Sequence, residues 1–168
     1  MIGAFAVILA SLVPRCYPPP VPAPVAVPYT APACAYCPGH RGLEFHVPNG
    51  SPVAAVAGGV VTFAGVVVGT RYVVVLQTDG LRATYGMLSQ LAVTKGSVVV
   101  ARQTVGQSDS RVYFGLRNPA GEPVDPTGLI GRLRGRPRLL PIDGTPPRRT
   151  SAPTLVCSVS ANHTVRPP

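Results

Sequence analysis

Between Pro52 and Arg117 the chain alternates short valine-rich runs with turn residues, and its apolar positions do not follow the 3.6-residue spacing of a helix. Residues 52–56 and 60–67 read as strands parted by Gly58-Gly59. A third runs over 71–77, and Thr78-Asp79-Gly80 turns it back into 81–85, because Asp-Gly tolerates the positive backbone angles of a tight hairpin. Shorter runs follow at 91–93 and 98–101, separated by Lys95-Gly96, with a break expected at Gly106-Gln107. The last clear strand spans 111–117 and stops at Asn118-Pro119. Such turn spacing predicts an all-β fold, an antiparallel sheet or sandwich.

Composition sets the limits of that sheet. Nine of the 21 prolines lie in 14–38 and ten lie from Pro119 onward, which leaves the proline-poor middle to form a core. The reading is therefore three segments. An apolar stretch and a proline-rich lead-in occupy 1–37, the β domain 38–131, and a basic, proline-rich tail 132–168. Both proline-rich ends are expected to be disordered. Residues 1–13 have the apolar character of a secretory signal, without the preceding basic residue and too short to span a bilayer.

The net charge of +9 is mostly a property of the tail. Residues 40–130 carry seven basic and five acidic side chains, whereas 131–168 carry seven arginines, among them Arg132, Arg134, Arg136 and Arg138, against one aspartate. Such a tail attracts polyanions in general. No nucleic-acid motif accompanies it, so sequence-specific nucleic-acid binding is not expected.

Metal chemistry has one focus. His40 stands four residues before Glu44 and can share a cation with it through one nitrogen and one oxygen. His46 lies on the same strand face as Glu44 and is either a substitute ligand or a surface histidine. Cys34 and Cys37 precede His40 and admit two readings, thiolate ligands beside it or disulfide partners with Cys16 and Cys157 among the choices. Four cysteines allow three pairings, and all suit an oxidising compartment. His163 sits in the tail and reads as solvated.

The order of these motifs resembles the lysostaphin-type zinc murein endopeptidases, which cut peptide cross-links in bacterial cell walls. Their pattern is His-x-Gly-x-Asp-Phe, Pro-x-Gly-x-Pro-Val and Gly-x-Val-x-Phe-Ala-Gly. It is met here by His40-Arg41-Gly42-Leu43-Glu44-Phe45, Pro48-Asn49-Gly50-Ser51-Pro52-Val53 and Gly59-Val60-Val61-Thr62-Phe63-Ala64-Gly65, with glutamate for the aspartate. The later motifs are matched by Tyr85-Gly86-Met87-Leu88, Val93 to Val99, Arg111 to Arg117 and Gly121-Glu122-Pro123-Val124-Asp125-Pro126. Phe114-Gly115-Leu116-Arg117 and Arg138-Leu139-Leu140-Pro141 resemble a short actinobacterial branch of that family.

The resemblance implies a lysostaphin-type domain over 38–131 and a site in which His40, Glu44 and Tyr113 hold the three ligand positions. Met87 and Arg111 fall where the family keeps its proton-handling histidines. Tyr85 and Arg111 would line the groove. A phenol must lose a proton of pKa about 10 before it ligates zinc. Methionine has no proton to give, and arginine stays protonated. The expectation is a degenerate, inactive domain that binds no stoichiometric zinc. It would be exported and act at peptidoglycan, or on a cell-wall enzyme, as a binding or regulatory module. The rival is an active zinc endopeptidase built on His40 with Glu44 or His46.

Overall fold

The structure is a computed structural model that describes residues 16–34, 37–134 and 154–157. Its elements are all strands: β1 (Val25–Val27), β2 (Leu43–His46), β3 (Pro52–Ala54), β4 (Gly59–Val67), β5 (Thr70–Gln77), β6 (Arg82–Leu91), β7 (Val98–Val99), β8 (Thr104–Arg117), β9 (Pro123–Val124), β10 (Arg132–Arg134) and β11 (Thr154–Val156). No helix occurs among the described residues. Nine strands make one sheet in the order β1-β2-β8-β6-β5-β4-β7, with β3 and β9 also paired to β8. All these strand pairings are antiparallel.

β8 is the spine of the sheet. One edge pairs with β6 almost throughout, and the other receives β3, β2 and β9 in succession. It runs 14 residues without the expected break at Gly106-Gln107, because both residues are held by partners, Val53 and Leu91 across Gly106 and Pro52 and Gln90 across Gln107. The hairpin at Asp79-Gly80 forms as the sequence indicates. Gly80 has φ of 85°, and Gln77 N–H donates to Leu81 O at 2.8 Å.

Strand alternation separates a core from an open face. Leu43 and Phe45 of β2, Val112, Phe114 and Leu116 of β8, Ala83 and Tyr85 of β6, and Val73 and Val75 of β5 are all buried. Their neighbours Glu44, His46, Arg111, Tyr113 and Gly115 turn to the other face, which carries the site.

The lead-in, expected to be disordered, packs onto this core. Tyr17 and Val21 are buried, β1 pairs with β2, and Tyr17 exchanges backbone hydrogen bonds with Leu129 and Gly131. Burying two large apolar side chains, at roughly 1.5–3 kcal/mol each, offsets part of the cost of ordering this segment. The described part of the tail is likewise ordered: β10 and β11 form a two-stranded ribbon. Disulfides join Cys16 to Cys157 and Cys34 to Cys37. Residues 1–13, Arg136, the 138–141 motif and His163 lie outside the described residues.

Candidate functional site

Cross-strand register assembles the site on the open face. Glu44 faces Tyr113, and His46 faces Arg111, across β2 and β8. His40, just before β2, is held by a bridge to Thr30 and by its ring, whose Nδ1 lies 3.0 Å from Pro28 O. Its Nε2 then lies 3.2 Å from Glu44 Oε1, while the other carboxylate oxygen is 3.8 Å from a guanidinium nitrogen of Arg111. The Tyr113 ring meets the His40 imidazole edge-on, with centroids 5.9 Å apart, and its hydroxyl donates to Arg41 O at 3.1 Å.

Glycines make room for that ring. A Cβ at Gly42 would lie 2.7 Å from ring atoms of Tyr113, and one at Gly115 would lie 2.7 Å from its hydroxyl oxygen. Burial raises the Tyr113 phenol above its ordinary pKa, against the pull of the Arg117 and Arg41 guanidiniums. Tyr113 is therefore a neutral hydrogen-bond donor at physiological pH.

Four residues read from the sequence, Tyr85, Met87, Cys34 and Cys37, stand apart from that group. Tyr85 does not line the groove. It is fully buried on the core face, where its hydroxyl accepts from Val56 N–H at 2.9 Å, and burial pushes its pKa up. Met87 sits at a bulge with φ of 60°, between Gly86, whose partner is Tyr113, and Leu88, whose partner is Ser108. Cys34 and Cys37 are bonded to each other and offer no thiolate, which removes the Cys34-Cys37-His40 ligand set. His46 is exposed beside Arg111. The sequence reading missed Arg41 and Arg117. The motifs contained both, but only the fold brings them near the Tyr113 phenol.

The donor set decides what cation these residues suit. Two ligands of a tetrahedral zinc stand about 3.3 Å apart, so His40 Nε2 and Glu44 Oε1 fit two corners. Tyr113, which faces Glu44 across the strands, is a neutral phenol that donates to a carbonyl, and Arg111 brings positive charge to Glu44. Among the described residues no three His, Cys, Asp or Glu side chains come together as a metal group. Among the described residues, His40 and Glu44 thus offer two of the ligands that a zinc site needs.

Comparison with known proteins places this arrangement. Residues 38–126 match the model of Peptidase family M23. A protein of Haemophilus influenzae is 33% identical over 100 residues, which are 54% of this chain and 24% of that relative, so the chain spans about a quarter of its length. Among solved structures, Helicobacter pylori Csd3 superposes with a TM-score of 0.61 at 27% identity, over 69% of this chain and 33% of that one. The catalytic domain of the prophage-encoded M23 protein EnpA from Enterococcus faecalis, in a mutant form, gives 0.54 at 27%, over 66% and 95%. The fold, the motif order and the family match agree: this chain belongs to peptidase family M23.

Proposed function

We propose that this chain is an M23 domain that does not hydrolyse peptide bonds and acts at peptidoglycan as a binding or regulatory module outside the cytoplasm. The observation that carries the reading is Tyr113, whose neutral phenol takes the third ligand position and donates to Arg41 O. M23 is a zinc-dependent peptidase family, in which the metal lowers the pKa of bound water and polarises the scissile carbonyl. Here Arg111 replaces a proton-handling histidine and can orient an anionic group, yet it cannot accept a proton. Met87 can do neither. Two disulfides support export to an oxidising compartment. The basic tail would add non-specific attraction to polyanions.

A rival reading, an active zinc endopeptidase, draws support from the 3.2 Å spacing of His40 and Glu44. Elemental analysis of the purified chain, with assay of peptide amines released from sacculi, separates the two. The expected result is zinc well below one equivalent, no released amines, and co-sedimentation with sacculi. One zinc per chain, lost on His40→Ala together with cleavage, would overturn the proposal.

A further inference from the structure

The two ends of the main sheet are built differently. At one end β1 is three residues long and set between Pro24 and Pro28, which have no N–H to offer another strand. At the other end β7 is two residues long and covers only Gly59 and Val60 of β4. Val61 is met by backbone groups of Gly96 and Ser97. From Phe63 to Val67, β4 pairs with β5 alone among the described residues. Prolines and charges are the usual means of blunting such an edge. The nine residues of β4 contain neither.

The hairpin fixes which backbone groups point outward. Val67 pairs with Thr70 across a two-residue turn, Val68-Gly69, whose φ values of 46° and 77° belong to a tight hairpin. Val67 therefore bonds inward to β5, and the direction alternates along an antiparallel strand. Gly65 and Phe63 also face β5, whereas Ala64 and Val66 turn N–H and C=O to the free side. The side chains around them are apolar and open to solvent, with Val66 58%, Val67 48% and Phe63 37% exposed. Arg71, the single charge in residues 59–77, stands one strand back, opposite Val66.

We propose that β4 pairs antiparallel with β4 of a second copy of this chain, about a two-fold axis at Gly65. Backbone groups on an edge are satisfied by a strand, and this uncharged strand is complementary to itself read backward. Ala64 of each copy lies opposite Val66 of the other and exchanges both backbone bonds with it. Phe63 falls opposite Val67, an apolar pair on the open face. Gly65 meets Gly65 at the axis with no side chain between them. The Phe63 ring already occupies the space above that glycine, where a Cβ would lie 3.2 Å from the ring. A two-fold contact of this kind closes on itself and stops at the dimer. Its axis stands perpendicular to the sheet, so both open faces, each with its own His40, Glu44 and Tyr113, look to the same side. A polymer lying across the dimer would meet both at once.

A single strand pair is smaller than a standard interface, so the association is weak and depends on concentration. Sedimentation velocity of the full chain, from about 1 μM to about 1 mM, should show monomer passing to dimer. Both copies carry a net charge of +9, so added salt should tighten the dimer. Val66→Lys places a charge on the edge and should weaken association at least about tenfold. Val98→Lys, on β7 and 74% exposed, should leave it unchanged. Amide hydrogen exchange of the wild type reads the register without a variant: as concentration rises, Ala64 and Val66 should slow most. Where Val66→Lys fails to fold, that comparison decides. A chain that stays monomeric across the range overturns the proposal. So does a dimer that survives Val66→Lys, or one lost on Val98→Lys, which places the contact on β7. A dimer dissolved by salt is held by charge, and assemblies that keep growing reveal an open contact; either result overturns it. Slowing spread evenly along β4 and β5 overturns it as well.

Discussion

Tyr113 is held by its neighbours as much as by its own hydrogen bond. Its ring lies where Gly115 has no side chain, and the nearest atoms to an added Cβ there belong to Tyr113 alone. Gly115→Ala should cost about 1–3 kcal/mol in the wild type and close to nothing in a Tyr113→Ala background. A double-mutant cycle by chemical denaturation reads that coupling, and additive losses would show that the glycine serves something else. Rebuilding the ligand set is the complementary experiment. Tyr113→His with Glu44→Asp should raise zinc affinity sharply, measured by competition with a chromogenic chelator. Turnover should stay poor until Met87 and Arg111 are also histidine, since a bound metal does not supply the groups that move protons. His40 and Glu44 were legible because a four-residue spacing is a local signal, and the structure brings them together. Tyr85 was misread because the motif names residues without the strand parity that sends it to the core. Arg41 and Arg117 could not be read as a pair, since their proximity exists only after the strands align.

At the level of elements, the valine runs and turn residues located most of the strands. The hairpin at Asp79-Gly80 was legible for the same reason, a backbone angle that few residues accept. The bulges were not. Met87 and Ser110, with φ of 60° and 59°, shift the register between β6 and β8, and nothing in their side chains announces it. The join between β6 and the segment after β3 depends on one buried hydroxyl, that of Tyr85, which accepts from Val56 N–H. Tyr85 and Tyr113 both have folded pKa values above the ordinary value of about 10, so the fold favours their neutral forms. Their contribution to stability is complete below that ordinary value and is lost as pH climbs past it. The denaturation midpoint should therefore hold up to about pH 9 and fall as pH rises above about 10. Tyr85→Phe should reduce that fall while costing about 1 kcal/mol at neutral pH, because Val56 N–H loses its acceptor. An unchanged pH slope in the variant would place the sensitivity elsewhere.

For the molecule as a whole, no local signal chooses among the three disulfide pairings, because pairing depends on where distant segments end. The parallel bridge between Tyr17 and Ile130 sets Cys16 beside Gly131, and β10 with β11 brings Cys157 to the same place. The two bonds should differ in worth. Cys16 and Cys157 are 141 positions apart, and replacing both with serine should cost about 2–5 kcal/mol. Cys34 and Cys37 are three positions apart, and the same change there should cost about 1–2 kcal/mol. Urea denaturation of the two double variants compares them directly, and a larger loss from the short loop would contradict the ranking.

The long bridge also fixes how the domain carries load. Residues 16 and 157 are covalently one point, so tension applied to the chain on either side passes through a sulfur–sulfur bond and bypasses the sheet. The enclosed 141 residue steps, roughly 480 Å of extended chain, cannot be paid out while that bond is intact. Under such tension a copy with the bond intact keeps its open face folded, whereas after reduction the load falls on the strands themselves.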